Sequence, residues 1–466
     1  MEEEFFMTKD MTSGNPLKLI LFFSIPVLFG NIFQQFYNMF DTIIVGQFLG
    51  EDALAAVGST GSIMFLVLGF AMGIAQGFGV MVSQAFGARD ISRLKHYVSI
   101  SLILGLVISI LLTTFTVIFS RELLIFMHTP DNILDMADSY IRIIFWGIIC
   151  TMFYNIASGI LRGVGDSKTP LYFLILSSVL NILLDLFFII VLKMGVAGAA
   201  YATIISQGIS AVLCFIYMFK RFEILQIGRA DCYLDLRTVY QLIAMGIPMA
   251  LNYSLIGIGS MIQQSAVNVF GSSVVAAFTA ASKVEQLASQ TMPTLGTTMS
   301  TYCGQNLGAG QYERIFDGMK KAMLIGIGCA AFASLICAGF GRYIVRLFLS
   351  SPTPEITGYV TRYLNTVSCF FLFLSMIYVY RTSLQGLGRG IMPMISGIFE
   401  TICRMATVTL LRPAGFWCVC FSNPFAWIGA GVPLMITYLI WKQKTRAAYI
   451  SSNSQEQAIA SAPGPM

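Results

Sequence analysis

About twelve stretches of this 466-residue chain are apolar over a length that crosses a bilayer, and this pattern limits the fold more than any other feature. A hydrocarbon core about 30 Å thick needs roughly 20 apolar residues in a helix. The expected spans 1–6 cover residues 17–46, 53–84, 94–119, 132–161, 169–192 and 196–219. Spans 7–12 cover 240–270, 274–302, 315–340, 355–383, 392–411 and 425–441. Only 11% of residues are charged, against about 25% in a soluble domain. The chain therefore reads as an all-α polytopic membrane protein, in contact with a lipid bilayer. Met1 to Lys18 is polar and has no cleavage signature, so span 1 is expected to direct its own insertion.

Loop charge sets the orientation. The turns after spans 2, 4 and 6 carry Arg89, Arg93 and Lys95, then Arg162 and Lys168, then Lys220, Arg221, Arg229 and Arg237. Later even-numbered turns carry Arg314, Lys320, Lys321 and Arg389, and the tail carries Lys442, Lys444 and Arg446. The odd-numbered turns are poorer, with few basic residues (Arg121, Lys193, Arg342, Arg346, Arg412). Even turns and both termini are thus expected in the cytoplasm. Topology explains the basic clusters, and no nucleic-acid partner is needed.

The charged interruption from Lys220 to Arg237 divides the chain nearly in half, and the halves repeat. Ile25-Pro26 is echoed by Ile247-Pro248. Ser83-Gln84-Ala85-Phe86-Gly87-Ala88 is echoed by Gly304-Gln305-Asn306-Leu307-Gly308-Ala309, and Arg162-Gly163-Val164-Gly165 by Gln385-Gly386-Leu387-Gly388. Six spans per half place both halves the same way up. A pseudo-twofold along the membrane normal follows, with a central cavity between the halves. The expected organisation is a cytoplasmic segment (1–16), an N-terminal six-helix lobe (17–219), a cytoplasmic loop (220–239), a C-terminal six-helix lobe (240–441) and a cytoplasmic tail without structure (442–466).

One stretch does not suit lipid. In Gln34-Gln35-Phe36-Tyr37-Asn38-Met39-Phe40-Asp41, the residues Gln34, Tyr37, Asn38 and Asp41 fall at i, i+3, i+4 and i+7 on one helical face. A charge at the bilayer centre costs at least about 2.5–3.5 kcal/mol and normally faces a bundle interior or a wet cavity. Asn181 and Asp185 share a face of span 5 at i, i+4. With Asp41 they would put two carboxylates in one pocket, and two such groups resist ionising together. That suits a proton or Na⁺ equally. The alternative is that these groups only lock helices together by hydrogen bonds.

In the second half, Glu400 and Arg404 are spaced for an ion pair on span 11, where the repeat has Ser177 and Asn181. Their role is open between structure, substrate contact and gating. Span 7 carries Asn252, Gln263 and Gln264 and no carboxylate; Lys283 and Glu285 make a weaker polar spot on span 8. Pro26 and Pro248 are expected to kink spans 1 and 7. The 25 Met and 37 Phe suit a cavity for varied apolar cations, although most must face lipid or core.

The ten Cys are scattered in apolar runs and read as packing residues, and the two His, His96 and His128, as surface residues; no metal site is expected. Residues Gly163–Thr169 have Ser167 where a phosphate loop needs Gly before Lys168, which argues against an ATP-driven pump. No Ser/His/Asp constellation supports an enzyme.

The chain resembles the multidrug and toxic compound extrusion (MATE) transporters, in the bacterial branch related to the DNA-damage-inducible protein F group. The resemblance rests on Phe40-Asp41-Thr42 through Val45-Gly46, on Gln84-Ala85-Phe86-Gly87-Ala88, on Arg162-Gly163-Val164-Gly165-Asp166 with Thr169-Pro170, and on Asn181 with Asp185. It implies a monomeric inner-membrane antiporter without cofactor, exporting amphipathic, often cationic compounds against H⁺ or Na⁺ by alternating access of two lobes. It also implies a cation site at Tyr37, Asp41, Asn181, Asp185 and Thr203. Members with a span 7 Glu use that acid for coupling, and this chain lacks it. A flippase for a lipid-linked saccharide is the alternative, with Arg404 as its main cationic candidate.

Overall fold

The computed structural model describes residues 10–344 and 353–460, and among these every regular element is a helix. Arg346 and the outermost parts of the two terminal segments lie outside the described residues. The first half comprises α1 (Pro16–Leu49), α2 (Glu51–Gly87), α3 (Ile91–Ile118), a short α4 (Ser120–Phe126), α5 (Asp131–Trp146), α6 (Ile148–Gly163), α7 (Lys168–Leu186) and α8 (Val196–Arg221). The second comprises α9 (Leu236–Asn268), α10 (Ser272–Ser289), α11 (Thr291–Gly308), α12 (Tyr312–Leu335), a short α13 (Gly341–Ile344), α14 (Pro354–Ser368), α15 (Phe371–Gly386), α16 (Ile391–Leu410) and α17 (Trp417–Ala460).

Among the described residues nine helices are long and apolar enough to cross a membrane singly, and the bent pairs α5–α6 and α14–α15 bring the number to eleven. The twelfth crossing is α10–α11, whose Lys283, Glu285, Gln286, Ser289 and Gln290 dilute its hydropathy. The result is an all-α bundle of two six-helix lobes.

Local chemistry sets the helix limits. Asn15 caps α1 by accepting the N–H of Leu17, with Pro16 at the first helical position. Gly50 between α1 and α2, at φ 90°, and Gly271 between α9 and α10, at φ 91°, reverse the chain at matching points of the repeat.

Several expectations change. Pro26 and Pro248 lie inside α1 and α9, each of which continues past its proline as one helical element. Two further bends, 45° in α5–α6 and 50° in α14–α15, lie where no proline stands. The tail expected to lack structure continues α17 through Ala460. Residues 442–460 contain no Gly or Pro, and a helix already nucleated extends at little cost. His96 is buried rather than a surface residue: its ring stacks on Tyr233 at 4.1 Å, and its Nδ1 lies 3.1 Å from the carbonyl of Asp231. The charged loop is thereby folded onto α3.

The lobes also exchange their entry turns. Ile20, Phe23 and Val27 of α1 join the core of the second half, beside Leu295 and Met299. Leu242, Met245 and Met249 of α9 join the core of the first half, beside Ile74 and Phe78. Hydroxyl and amide contacts fix the first exchange: Ser24 to Thr298 at 2.8 Å, and Asn31 to Thr294 at 2.9 Å.

Candidate functional site

The second half of α1 packs into the N-terminal lobe and carries the acidic stretch with it. Each residue turns a helix by about 100°, so the face from Gln34 to Asp41 is a broad stripe rather than a line. Burial falls across it. Tyr37 is buried, Asp41 and Gln34 are half-buried, and Asn38 is exposed. The lobe interior therefore lies on the Tyr37 edge. Among the described residues neither Gln34 nor Asn38 hydrogen-bonds to the acidic pair, so the supporting polar face expected from the sequence narrows to Tyr37 and Asp41.

Opposite them, α7 presents Asn181 and Asp185, both fully buried, and α8 presents Thr203. The Tyr37 hydroxyl donates to Thr203 Oγ1 at 3.3 Å, and Asn181 Nδ2 donates to the same oxygen at 3.4 Å. The carboxyl groups of Asp41 and Asp185 are neighbours within electrostatic reach of each other. Tyr140 of α5 is buried within electrostatic reach of Tyr37, Asp41 and Asp185. Sequence reading missed it, because a tyrosine in an apolar run looks like core.

No Lys, Arg or His bridges to either carboxylate among the described residues. Four buried oxygens here have no donor: Asp41 Oδ1, Asp185 Oδ1 and Oδ2, and Asn181 Oδ1. Unpaired buried acceptors are costly. A cluster made only of oxygen acceptors is what a proton or a hard monovalent cation would satisfy.

The polar residues of the second lobe assemble differently. Glu400 Oε1 accepts from Arg404 at 3.2 Å, as its spacing suggested, but Glu400 Oε2 accepts from Arg381 of α15 at 2.6 Å. Arg381 drew no notice in the sequence because it stands near a basic turn. Gln263 donates to Ser422 at 2.9 Å, and Asn252 donates to the carbonyl of Pro393 at 3.0 Å. Gln264 is apart from this group, exposed and bonded to Asn268 of its own helix. Lys283 is also exposed, whereas Glu285 accepts from Tyr363 at 2.7 Å inside the lobe.

The even-turn ends of the lobes are sealed. α2 and α9 run antiparallel in backbone contact. A Cβ on Gly73 would lie 2.5 Å from Ala250 Cα, and one on Gly77 2.6 Å from Gly246 Cα. The Gly-rich echoes of the repeat meet in a reciprocal pair: Gln84 Nε2 donates to Gly386 O at 2.9 Å, and Gln305 Nε2 donates to Gly163 O at 2.8 Å. The N-terminal segment straps this seam. Met11 N–H donates to Gln305 at 2.9 Å, while Asn306 and Arg314 both donate to the carbonyl of Met11 at 3.1 Å. Toward the odd turns, Gly58 and Gly61 of α2 face open space.

A family model described as MatE matches the chain twice, over residues 26–187 and 248–410. The two matches begin at the paired prolines, which is the repeat read from the sequence. The chain is 31% identical over 426 residues to "Probable multidrug resistance protein YpnP" of Bacillus subtilis, covering 90% of this chain and 91% of that protein. It is 21% identical over 374 residues to "Multidrug export protein MepA" of Staphylococcus aureus, covering 80% and 82%. A solved structure described as the outward-facing conformation of a multidrug resistance MATE family transporter superposes with a TM-score of 0.86 at 26% identity, over 95% of this chain and 98% of that one.

Proposed function

The chain belongs to the MATE family of multi-pass membrane transporters, and from that premise we propose that it exports amphipathic, often cationic compounds in exchange for an inward-moving cation. The observation that carries the coupling is the neighbouring pair Asp41 and Asp185, within electrostatic reach of each other, with four buried oxygens that no protein donor reaches. One H⁺ or Na⁺ held there would cancel one of the two charges, remove the like-charge repulsion and let α1 pack closely on α7 and α8. Losing it leaves two like charges side by side, which is relieved by hydrating or separating the helices. Cation occupancy is thereby tied to the position of α1, which also reaches into the other lobe through Ser24 and Asn31.

The sealed even-turn end suits a state closed to the cytoplasm and open outward, in a bacterial inner membrane with both termini inside. Alternating access then consists of breaking the Gln84 and Gln305 bonds while the odd-turn ends close. The printed names of the relatives speak of multidrug resistance and export, and both lobes belong to one chain, so a monomer suffices. The lipid-linked saccharide reading leaned on Arg404, which is buried against Glu400.

The test is drug efflux from proteoliposomes under an imposed pH or Na⁺ gradient. D41N and D185N should each abolish gradient-driven efflux, and the gradient that drives the parent identifies the ion. Efflux at the parental rate in both variants would remove the coupling assignment.

A further inference from the structure

The repeat allows the cation pocket to be compared with its own copy. Pro26 matches Pro248, which pairs Asp41 with Gln263 and Tyr37 with Gly259. Gly163 matches Gly386, which pairs Tyr140 with Tyr363. Pro170 matches Pro393, which pairs Asn181 with Arg404 and Asp185 with Val408. Both carboxylates of the first pocket are therefore missing from the second, and a guanidinium stands where the amide was.

The structure shows how that guanidinium fits. Arg404 crosses the space that a tyrosine at 259 would fill: a Cβ on Gly259 would lie 2.0 Å from Arg404 Nη1. The side chain is 6% exposed, and besides Nη2 on Glu400 its Nε and Nη1 have no hydrogen-bond partner. Charge surrounds it instead. Glu400 sits at 3.2 Å on the same helix, and Glu285 of α10 lies within Coulombic reach. Glu285 is held by Tyr363, the counterpart of Tyr140, whose hydroxyl accepts from Asn423 of α17 at 3.1 Å. Gln263, the counterpart of Asp41, is turned to Ser422. Arg381 faces the far oxygen of Glu400. Two guanidiniums and two carboxyls thus share one buried cluster, whose other titratable neighbours include Tyr363 and Cys337 beside Glu285, Tyr378 beside Glu400 and Arg381, and Tyr253 beside Arg381.

The unpartnered atoms differ in kind between the two pockets. In the first they are oxygens awaiting a cation; in the second they include the nitrogens of a cation already present. We infer that the second-lobe pocket is a cation site permanently occupied by the chain's own Arg404, which Glu400 contacts and Glu285 faces within Coulombic reach as the carboxylate no other cation engages, so that only the first lobe exchanges ions with solution. This rests on the reading of Asp41 and Asp185 as a cation pocket. It further assigns Arg404 as the residue that confines coupling to one lobe.

The test uses the purified full chain and its unfolding temperature in NaCl against choline chloride at equal ionic strength, at several pH values. The background is D41N/D185N, which silences the first pocket. In that background the unfolding temperature should not respond to Na⁺. Adding R404N, which installs the first-lobe residue, should create a saturable rise of about 2 °C or more with Na⁺ or with acid. Adding E285Q as well should abolish that rise, and R404K should show none, because its ammonium remains a tethered cation. A monodisperse R404N variant with no response to either cation overturns the inference, and so does a response already present in D41N/D185N. If R404N is recovered only as aggregate, recovery rescued by Na⁺ or acid but not by choline supports the inference. Aggregation in every condition overturns it. A parent whose unfolding temperature responds to neither Na⁺ nor H⁺ is a separate readout, and it counts against the first-lobe reading alone.

Discussion

Replacing Gly77 with alanine adds one methyl group, and the structure makes its effect depend on conformation. The new Cβ would meet Gly246 Cα at 2.6 Å and Gly246 N at 2.7 Å. Real Cβ atoms essentially never come within 3.0 Å, and these neighbours are backbone, which cannot rotate away. Forcing an extra methyl into such a contact costs about 1–3 kcal/mol. The contact joins α2 to α9 across the lobe seam, so the cost applies to the sealed arrangement and vanishes when the seam opens. The open-to-sealed ratio should rise by about 5- to 150-fold. Spin labels at Lys168 and Arg389, exposed on turns flanking the seam, would report it, after Cys232 and Cys369 are changed to Ser. G77A should broaden and lengthen the label distance and slow efflux. G61A, whose Cβ points into open space, should do neither. Matching distance distributions and rates for G77A and the parent would refute the reasoning.

Three further outcomes follow from the same geometry. Q305A removes the bonds to Gly163 O and from Met11 N–H inside a buried seam; at about 1–3 kcal/mol for a buried group left unpaired, it should open the seam in the same distance assay, more than Q84A does at its half-buried site. E400Q leaves Arg381 and Arg404 buried without their shared counter-charge. At about 3–5 kcal/mol for breaking a buried pair, it should lower the unfolding temperature far more than E313Q, which breaks an exposed pair with Arg446 contributing about 0–1 kcal/mol. At the start of α9, the N–H of Arg237 and the groups of Thr238 hold the Asp235 carboxyl below its ordinary value. A group depressed by folding stabilises above its unfolded pKa and loses that effect as pH falls through the folded one. The deficit of D235A in a thermal melt should therefore be full at pH 7, begin to shrink near the unfolded value of about 4 and vanish only below the lower folded one.

Much of the architecture was legible along the chain. Span positions, the even-turn charge bias and the repeat all came from local composition, and Asp41 and Asp185 stood out because carboxylates are rare in apolar runs. Tyr140, Arg381 and the pairing of Glu285 with Tyr363 did not stand out. Each is ordinary in its own segment and acquires meaning only from a neighbour about twenty to a hundred residues away. The repeat did hold a usable signal, since Tyr140 and Tyr363 occupy matching positions beside the two pockets.

A bilayer acts on each stretch separately, rewarding apolar length and positive flanks, so the sequence alone carried the apolar spans, the basic bias of the even turns and the repeat. Packing between crossings answers to shape and to partners that are distant in the chain. Only the tertiary structure could decide that the Tyr37 edge of α1 faces inward while Asn38 does not. It also decided that α1 and α9 begin in each other's lobes, and that a missing side chain at Gly259 leaves room for the guanidinium of Arg404.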